Sequence, residues 1–421
     1  MKRFRPAESD VGYVVASLIA GVFFGGVGGG VAFPTLPALG PVLGISPFLV
    51  GIILSANRFT RLLMNTPAGQ LIDMMGARRP MILGFLVQGS APFGYVLGLH
   101  PEWVPIIGSA EIFIIARACW GIGSAFVFVG AFSTVTHITT AENRGKWIGY
   151  MRGGQSLGFP TGLILGGLVT DAYGYDIAFL TAGSLGLLAG AVAFLVLPNV
   201  NADVNARTGL RELPGLVSSD IRIFTVGTVN FMIRFLFVGV LLSTVVLYAQ
   251  RNGIAIGSLS GTGASGVIMA VSVVFSSATT LLAGRLSDSV SNRALLAIPA
   301  LLTFAAGFAV IALLTTLWTT LVGVALIGIG VGGTNPPLLA YLGDITPGGD
   351  IGKMGGVYNV FGDLGSTLGP LVALPITAWI GFTGEYLACV ALIIATVLLV
   401  ARTLLVDTED PVVTPAGVQN D

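Results

Sequence analysis

Charge is what this sequence has least of. Asp, Glu, Lys and Arg make up 10% of its 421 residues, where a water-soluble domain carries roughly 25%. With 54% hydrophobic residues, that scarcity excludes a soluble protein. Equal totals of 20 basic and 20 acidic residues argue against a nucleic-acid partner. Histidine and cysteine are scarcer still, at two each. Cys119 and Cys389 lie far apart in apolar stretches, so neither a disulfide framework nor a metal site is expected. No nucleophile with a base stands out, which argues against a membrane-embedded enzyme. A GxxxxGK[ST] phosphate loop is also missing, so the chain shows no ATP motor, and no large sensory domain suggests a receptor. No cofactor is expected.

What is present is apolar and small, including 60 glycines. A membrane helix needs about 20 mostly apolar residues to cross roughly 30 Å of hydrocarbon. On that rule twelve spans are predicted, with cores near 11–39, 47–71, 80–99, 106–137, 146–170, 177–198, 222–249, 258–283, 293–315, 317–343, 354–380 and 384–405. The first is too long for a signal peptide, whose apolar region runs roughly 7–15 residues. The stretch 294–343 is free of charge and too long for one span, so a turn is predicted near Thr315–Trp318.

The basic residues give direction, since positive loops stay in the cytoplasm. Lys2, Arg3, Arg5, Arg78, Arg79, Arg144, Lys146, Arg207, Arg211, Arg222, Arg285, Arg293, Lys353 and Arg402 fall on one side, and Arg251 alone falls on the other. Both termini are therefore predicted to be cytoplasmic, in the cytoplasmic membrane. The polar segment 199–220 divides the chain into bundles at 1–198 and 221–405, followed by a tail at 406–421. Gly69, Leu71, Asp73 and Arg78 recur at the same spacing as Gly284, Leu286, Asp288 and Arg293. An internal repeat of spans is a mark of transporters that rock one bundle against another.

The run from Gly69 through Asp73, Gly76 and Arg78 to Arg79 resembles the loop between the second and third helices of the major facilitator superfamily, and the loop at Asp288 looks like its second copy. Arg117-Ala118-Cys119-Trp120-Gly121 resembles that superfamily's fourth-helix arginine motif. Gly154, Gly158, Gly162 and Gly166, with Pro160, resemble the glycine-proline signature of its antiporter branches. Phe159 separates Gly158 from Pro160 where the family places them together, whereas Gly369-Pro370 in span eleven keeps the adjacency. The resemblance implies an all-α membrane fold of twelve helices in two pseudo-symmetric six-helix bundles. It also implies that Asp73 holds the inner side shut by meeting the amino end of helix eleven. Rows of small residues also have a plain packing role in lipid, so the glycine row reads either way.

Charges at membrane depth are costly and face a protein interior or a wet cavity. Arg58, Arg61, Arg234 and Asp363 are placed near mid-depth by counting helix rise. Arg58 and Arg61 share a face of span two. In the fold the motifs imply, Asp363 comes within reach of one of them, either as an ion pair that opens when the bundles rock or as a permanent structural bridge. Arg117 and Glu111 are further proton-coupling candidates, although six residues apart they are not ideal neighbours. Arg58, Arg61, Arg234, Asn335 and Tyr341 are candidates for the substrate cavity, and Asn335-Pro336-Pro337 could break or merely kink span ten. The expected function is secondary transport of a small molecule by a monomer in lipid, coupled to protons. Five intramembrane arginines against two clear acids favour an anionic or neutral amphipathic substrate. Efflux is expected, with uptake of an organic anion as the alternative.

Overall fold

The computed structural model describes residues 8–140, 142–197, 220–259, 261–290, 292–346 and 351–404. The expected tail and all of the expected linker except Asp220 lie outside them. The described residues form twelve apolar helices and no strand. They are α1 (Glu8–Val42), α2 (Pro47–Met75), α3 (Arg78–Leu99) and α4 (Ser109–Ile138). The run Arg144–Val196 then gives α5 (144–173) and α6 (175–196). The second half holds α7 (Ile221–Arg251), α8 (Thr262–Ser287), α9 (Ala297–Leu313) and α10 (Leu317–Asp344). The run Ile351–Leu404 supplies α11 (351–380) and α12 (382–404).

Both long runs reverse at one glycine, Gly174 at φ 85° and Gly381 at φ 74°, each with ψ near 180°. That backbone region is essentially glycine's alone, so the two hairpins depend on it. The turn predicted at Thr315–Trp318 falls between α9 and α10. There the Thr316 side chain accepts from the Thr319 backbone, and the Thr319 hydroxyl accepts from the Thr316 N–H in return.

Glycine rows set the packing within each half. An added Cβ at Gly154 would come 2.8 Å from the Ile19 carbonyl of α1, and one at Gly166 would come 2.6 Å from the Val31 Cα. Gly158 and Gly162 meet the Phe23 and Val27 backbones between them. In the second half Gly362, Gly365 and Gly369 of α11 meet Asn230, Phe231 and Gly239 of α7. Gly121 of α4 lies on Asn57 of α2, as Gly328 of α10 lies on Ser272 of α8. The helix pairs α1/α5 and α2/α4 thus recur six helices later, and the sequence repeat is matched in three dimensions. Close backbone approach through small residues is what holds helices together where lipid supplies no hydrophobic drive.

Between the halves, contact is concentrated away from the end where α1 begins and α12 stops. Gly51 of α2 lies against Pro370 and Leu371 of α11, and the Ser55 hydroxyl donates to the Thr367 carbonyl at 2.5 Å. Gly167 of α5 abuts Thr262 and Gly266 of α8. Towards the terminal end, Gly145, Gly149 and Gly153 of α5, Gly284 of α8 and Gly355 of α11 have no neighbour within 4 Å of an added Cβ. The described residues of the two halves are thus closed against each other on the side opposite the termini.

Candidate functional site

Where the closed contact ends, α2 and α11 are joined by an ion pair. A guanidinium nitrogen of Arg61 meets the carboxylate of Asp363, with side chains 15% and 17% exposed. The Arg61 guanidinium also lies over the Phe128 ring, 5.9 Å from its centre. Arg58, one turn earlier, has no hydrogen-bond or ion-pair partner among the described residues, and its Nε is buried. Both arginines line a cleft in the first bundle with Phe33, Gln88, Trp120 and Phe159. Phe33 and Phe159 meet edge to face at 5.5 Å and close its apolar wall.

Arg117 is almost wholly buried and is occupied by α2. Its guanidinium donates to the Ile53 carbonyl at 3.4 Å, to the Leu54 carbonyl at 3.3 Å and to Asn57 Oδ1 at 2.8 Å. Glu111 does not meet it. That carboxylate is exposed in the first turn of α4, where the positive end of the helix favours an acid. The second acid buried in the membrane region is Glu385, 3% exposed. Its carboxylate accepts from the Thr377 hydroxyl across the Gly381 hairpin, and its other oxygen has no partner. Sequence reasoning passed over Glu385 because it lies at the very start of its apolar run.

The second bundle contributes a polar chain. Asn230 of α7 donates to the Tyr358 carbonyl at 2.6 Å, and the Tyr358 hydroxyl donates to Asn335 Oδ1 at 2.9 Å. Asn335 is thereby tied to α11, and α10 runs unbroken through Pro336 and Pro337. Irregular backbone is found instead in α7, where Phe235–Leu241 forms a π-helix that brings Gly239 onto Gly369. No sequence signal marked it. Arg234, just before this segment, is exposed, and Tyr341 packs against the core of the second bundle.

The loop residues are placed at the terminal end. Gly69 is buried, and Gly76 closes α2 through its N–H to the Ile72 carbonyl at 2.9 Å. Arg78 donates to the Phe194 carbonyl of α6 at 2.8 Å. Asp73 and Arg79 are exposed, and the stretch that Asp73 was expected to meet, around 347–353, falls outside the described side chains. In the second copy Arg293 reaches Asp288 at 3.7 Å and Asp344 at 3.2 Å. Gly154, Gly158 and Pro160 are buried in α5, and Pro370 is buried beside Gly51.

The structure thus combines two repeated bundles with a charged cleft in the first of them. Residues 18–276 and 224–420 match the Major Facilitator Superfamily. The chain belongs to that superfamily. That is a family of membrane transporters, not of enzymes. Like it are Multidrug resistance protein 2 of Bacillus subtilis, 26% identical over 43% of this chain and 42% of that protein, and Quinolone resistance protein NorA of Staphylococcus aureus, 21% identical over 82% and 85%. The match thus spans less than half the length of the Bacillus relative. The fold matches a bacterial homologue of the human lysosomal transporter Spinster in an inward-facing, unoccupied conformation. Its TM-score is 0.75 at 16% identity, covering 97% of this chain and 100% of that one.

Proposed function

We infer that this facilitator is a proton-coupled exporter of anionic or neutral amphipathic molecules, working as a monomer with both termini in the cytoplasm. The observation that carries the reading is the Arg61–Asp363 pair. It joins the two bundles at the edge of the cleft, where their close contact on the side opposite the termini ends. A proton on Asp363 removes the negative charge and releases Arg61, which links protonation to rocking of the bundles. Export is supported by the relatives, which are named for resistance to drugs. An anionic or neutral substrate is supported by Arg58, which stands in the cleft with no hydrogen bond or ion pair among the described residues.

The test is transport in proteoliposomes under pH gradients of both signs, with anionic, neutral and cationic compounds. Substrate movement against an inward proton gradient is expected, and Asp363→Asn should uncouple it. Full gradient dependence in a folded Asp363→Asn variant would remove Asp363 as the proton site. Uptake with the proton flow would instead make the chain an importer of organic anions.

A further inference from the structure

Two of the polar side chains on the cleft wall are already engaged. Arg61 is held by Asp363, and Asn57 is held by Arg117. Gln88 of α3 is used only in half. Its Nε2 donates to the Gly25 carbonyl of α1 at 3.2 Å, which fixes the amide plane. The other end, Oε1, is buried and has no partner, on a side chain only 6% exposed. Arg58 is the complementary case, a cation with a buried Nε and no hydrogen-bond or ion-pair partner among the described residues, the nearby Asp363 being bonded to Arg61 instead. Both line one cleft, together with the rings of Trp120, Phe128 and Phe159.

An unsatisfied buried acceptor and an unpaired cation are each unfavourable when the site is empty. A ligand that supplies both partners removes both penalties at once. A site built to meet a polar group rejects an analogue lacking it far more strongly than an apolar pocket can.

We propose that Arg58 and Gln88 form a two-point recognition site for organic acids that also carry an N–H or O–H donor on a flat aromatic body. The acid group pairs with the Arg58 guanidinium, the donor binds Gln88 Oε1, and the ring system packs against Trp120, Phe128 and Phe159. The inference rests on the reading of this cleft as the substrate site. It deepens the anionic-or-neutral assignment by requiring a donor, and it gives Gln88 a role that its bond to Gly25 alone does not.

The experiment is equilibrium binding to the full-length protein in nanodiscs at fixed pH, with three probes. These are indole-3-acetate, its N-methyl analogue and its methyl ester. Indole-3-acetate is expected to bind tightest, with loss of either the N–H or the charge weakening it about 10-fold or more, the size of one lost buried hydrogen bond. Gln88→Met should weaken indole-3-acetate to the level of the N-methyl analogue and leave that analogue unchanged. Arg58→Gln should do the same for acid against ester. The comparison of ligands on the unaltered protein needs no variant, so a misfolded mutant does not spoil it. Equal affinity for the acid and its N-methyl analogue overturns the proposal, as does binding of none of the three. No proton gradient is applied. Failure here with gradient-driven transport of other compounds would sink the two-point site and leave the exporter reading, and binding without gradient-driven transport would do the reverse.

Discussion

Asp363→Asn is the substitution whose effect can be worked out furthest from the structure. Asparagine keeps the size of the side chain and removes its charge, as a proton would. An exposed ion pair contributes roughly 0.2–1 kcal/mol, and breaking a fully buried one costs roughly 3–5 kcal/mol. With side chains 15% and 17% exposed, the Arg61–Asp363 pair falls between these limits, at about 1–3 kcal/mol. Because it joins α2 to α11 in the state closed opposite the termini, its loss lowers the population of that state by about 5- to 150-fold relative to the other. Spin labels at Val42 and Trp379, which are 68% and 86% exposed at the far ends of α1 and α11, report the change as a distance distribution. At neutral pH the variant should show more of the long distance than the unaltered protein, and its distribution should no longer respond to acid. A distribution unchanged by the substitution, or an undiminished acid response in the variant, would refute the link between this carboxylate and rocking. The cycle with Arg61→Gln adds a check. If the pair acts as a unit, the double variant shifts the distances no further than either single one.

Four further outcomes follow from packing and charge. Gly158→Ala should lower the melting temperature of the detergent-solubilised protein, since the new methyl meets the α1 backbone and overpacking costs about 1–3 kcal/mol. Gly149→Ala, with nothing within 4 Å, should leave melting unchanged or raise it slightly. Arg117→Lys should destabilise despite keeping the charge, because one ammonium does not replace the planar donor set that holds the Ile53 and Leu54 carbonyls and Asn57; unaltered melting would show those bonds to be dispensable. His100, in the loop after α3, binds Asp176 at 2.9 Å and Glu102 at 3.2 Å. The hydrogen bond to Asp176, followed by that to Glu102, raises its pKa above the usual histidine value. Its contribution to stability is therefore complete below the unfolded value near 6.5 and is lost as pH rises through the raised folded value. A pH series of melting curves should show that loss in the unaltered protein and not in His100→Gln.

The layout was legible in the sequence because lipid imposes it. Span length and the repeat of Gly69–Arg78 at Gly284–Arg293 follow from constraints that leave marks along the chain. The glycine rows were legible too, and the structure gives each its opposite helix. What could not be read was local geometry that depends on a partner. The π-helix at Phe235–Leu241 has no proline or unusual residue to announce it, and it is observed where Gly239 and Gly369 let α7 and α11 touch. Asn335-Pro336-Pro337 carried the louder signal, yet α10 stays helical there, with Asn335 bonded to Tyr358.

Charge shows the same limit, and it bears on function. The five arginines that the sequence places within spans, Arg58, Arg61, Arg117, Arg152 and Arg234, suggested an electropositive interior. In the structure Arg152 and Arg234 are exposed, Arg117 is enclosed by α2 carbonyls and Asn57, and Arg61 is neutralised by Asp363. That leaves Arg58 as the cleft arginine without a partner among the described residues. A field spread over five arginines would favour any anion, roughly in proportion to its charge. A guanidinium with no hydrogen-bonded partner among the described residues, on the same cleft wall as a fixed acceptor, favours anions of one shape, because the ligand has to satisfy two separate groups at once. On the two-point site proposed above, breadth of substrate would be set by the aromatic wall, and the limit on breadth by Arg58 and Gln88. Replacing Gln88 with an apolar residue of similar length should therefore widen the range of acids accepted while lowering the affinity for those that carry a donor.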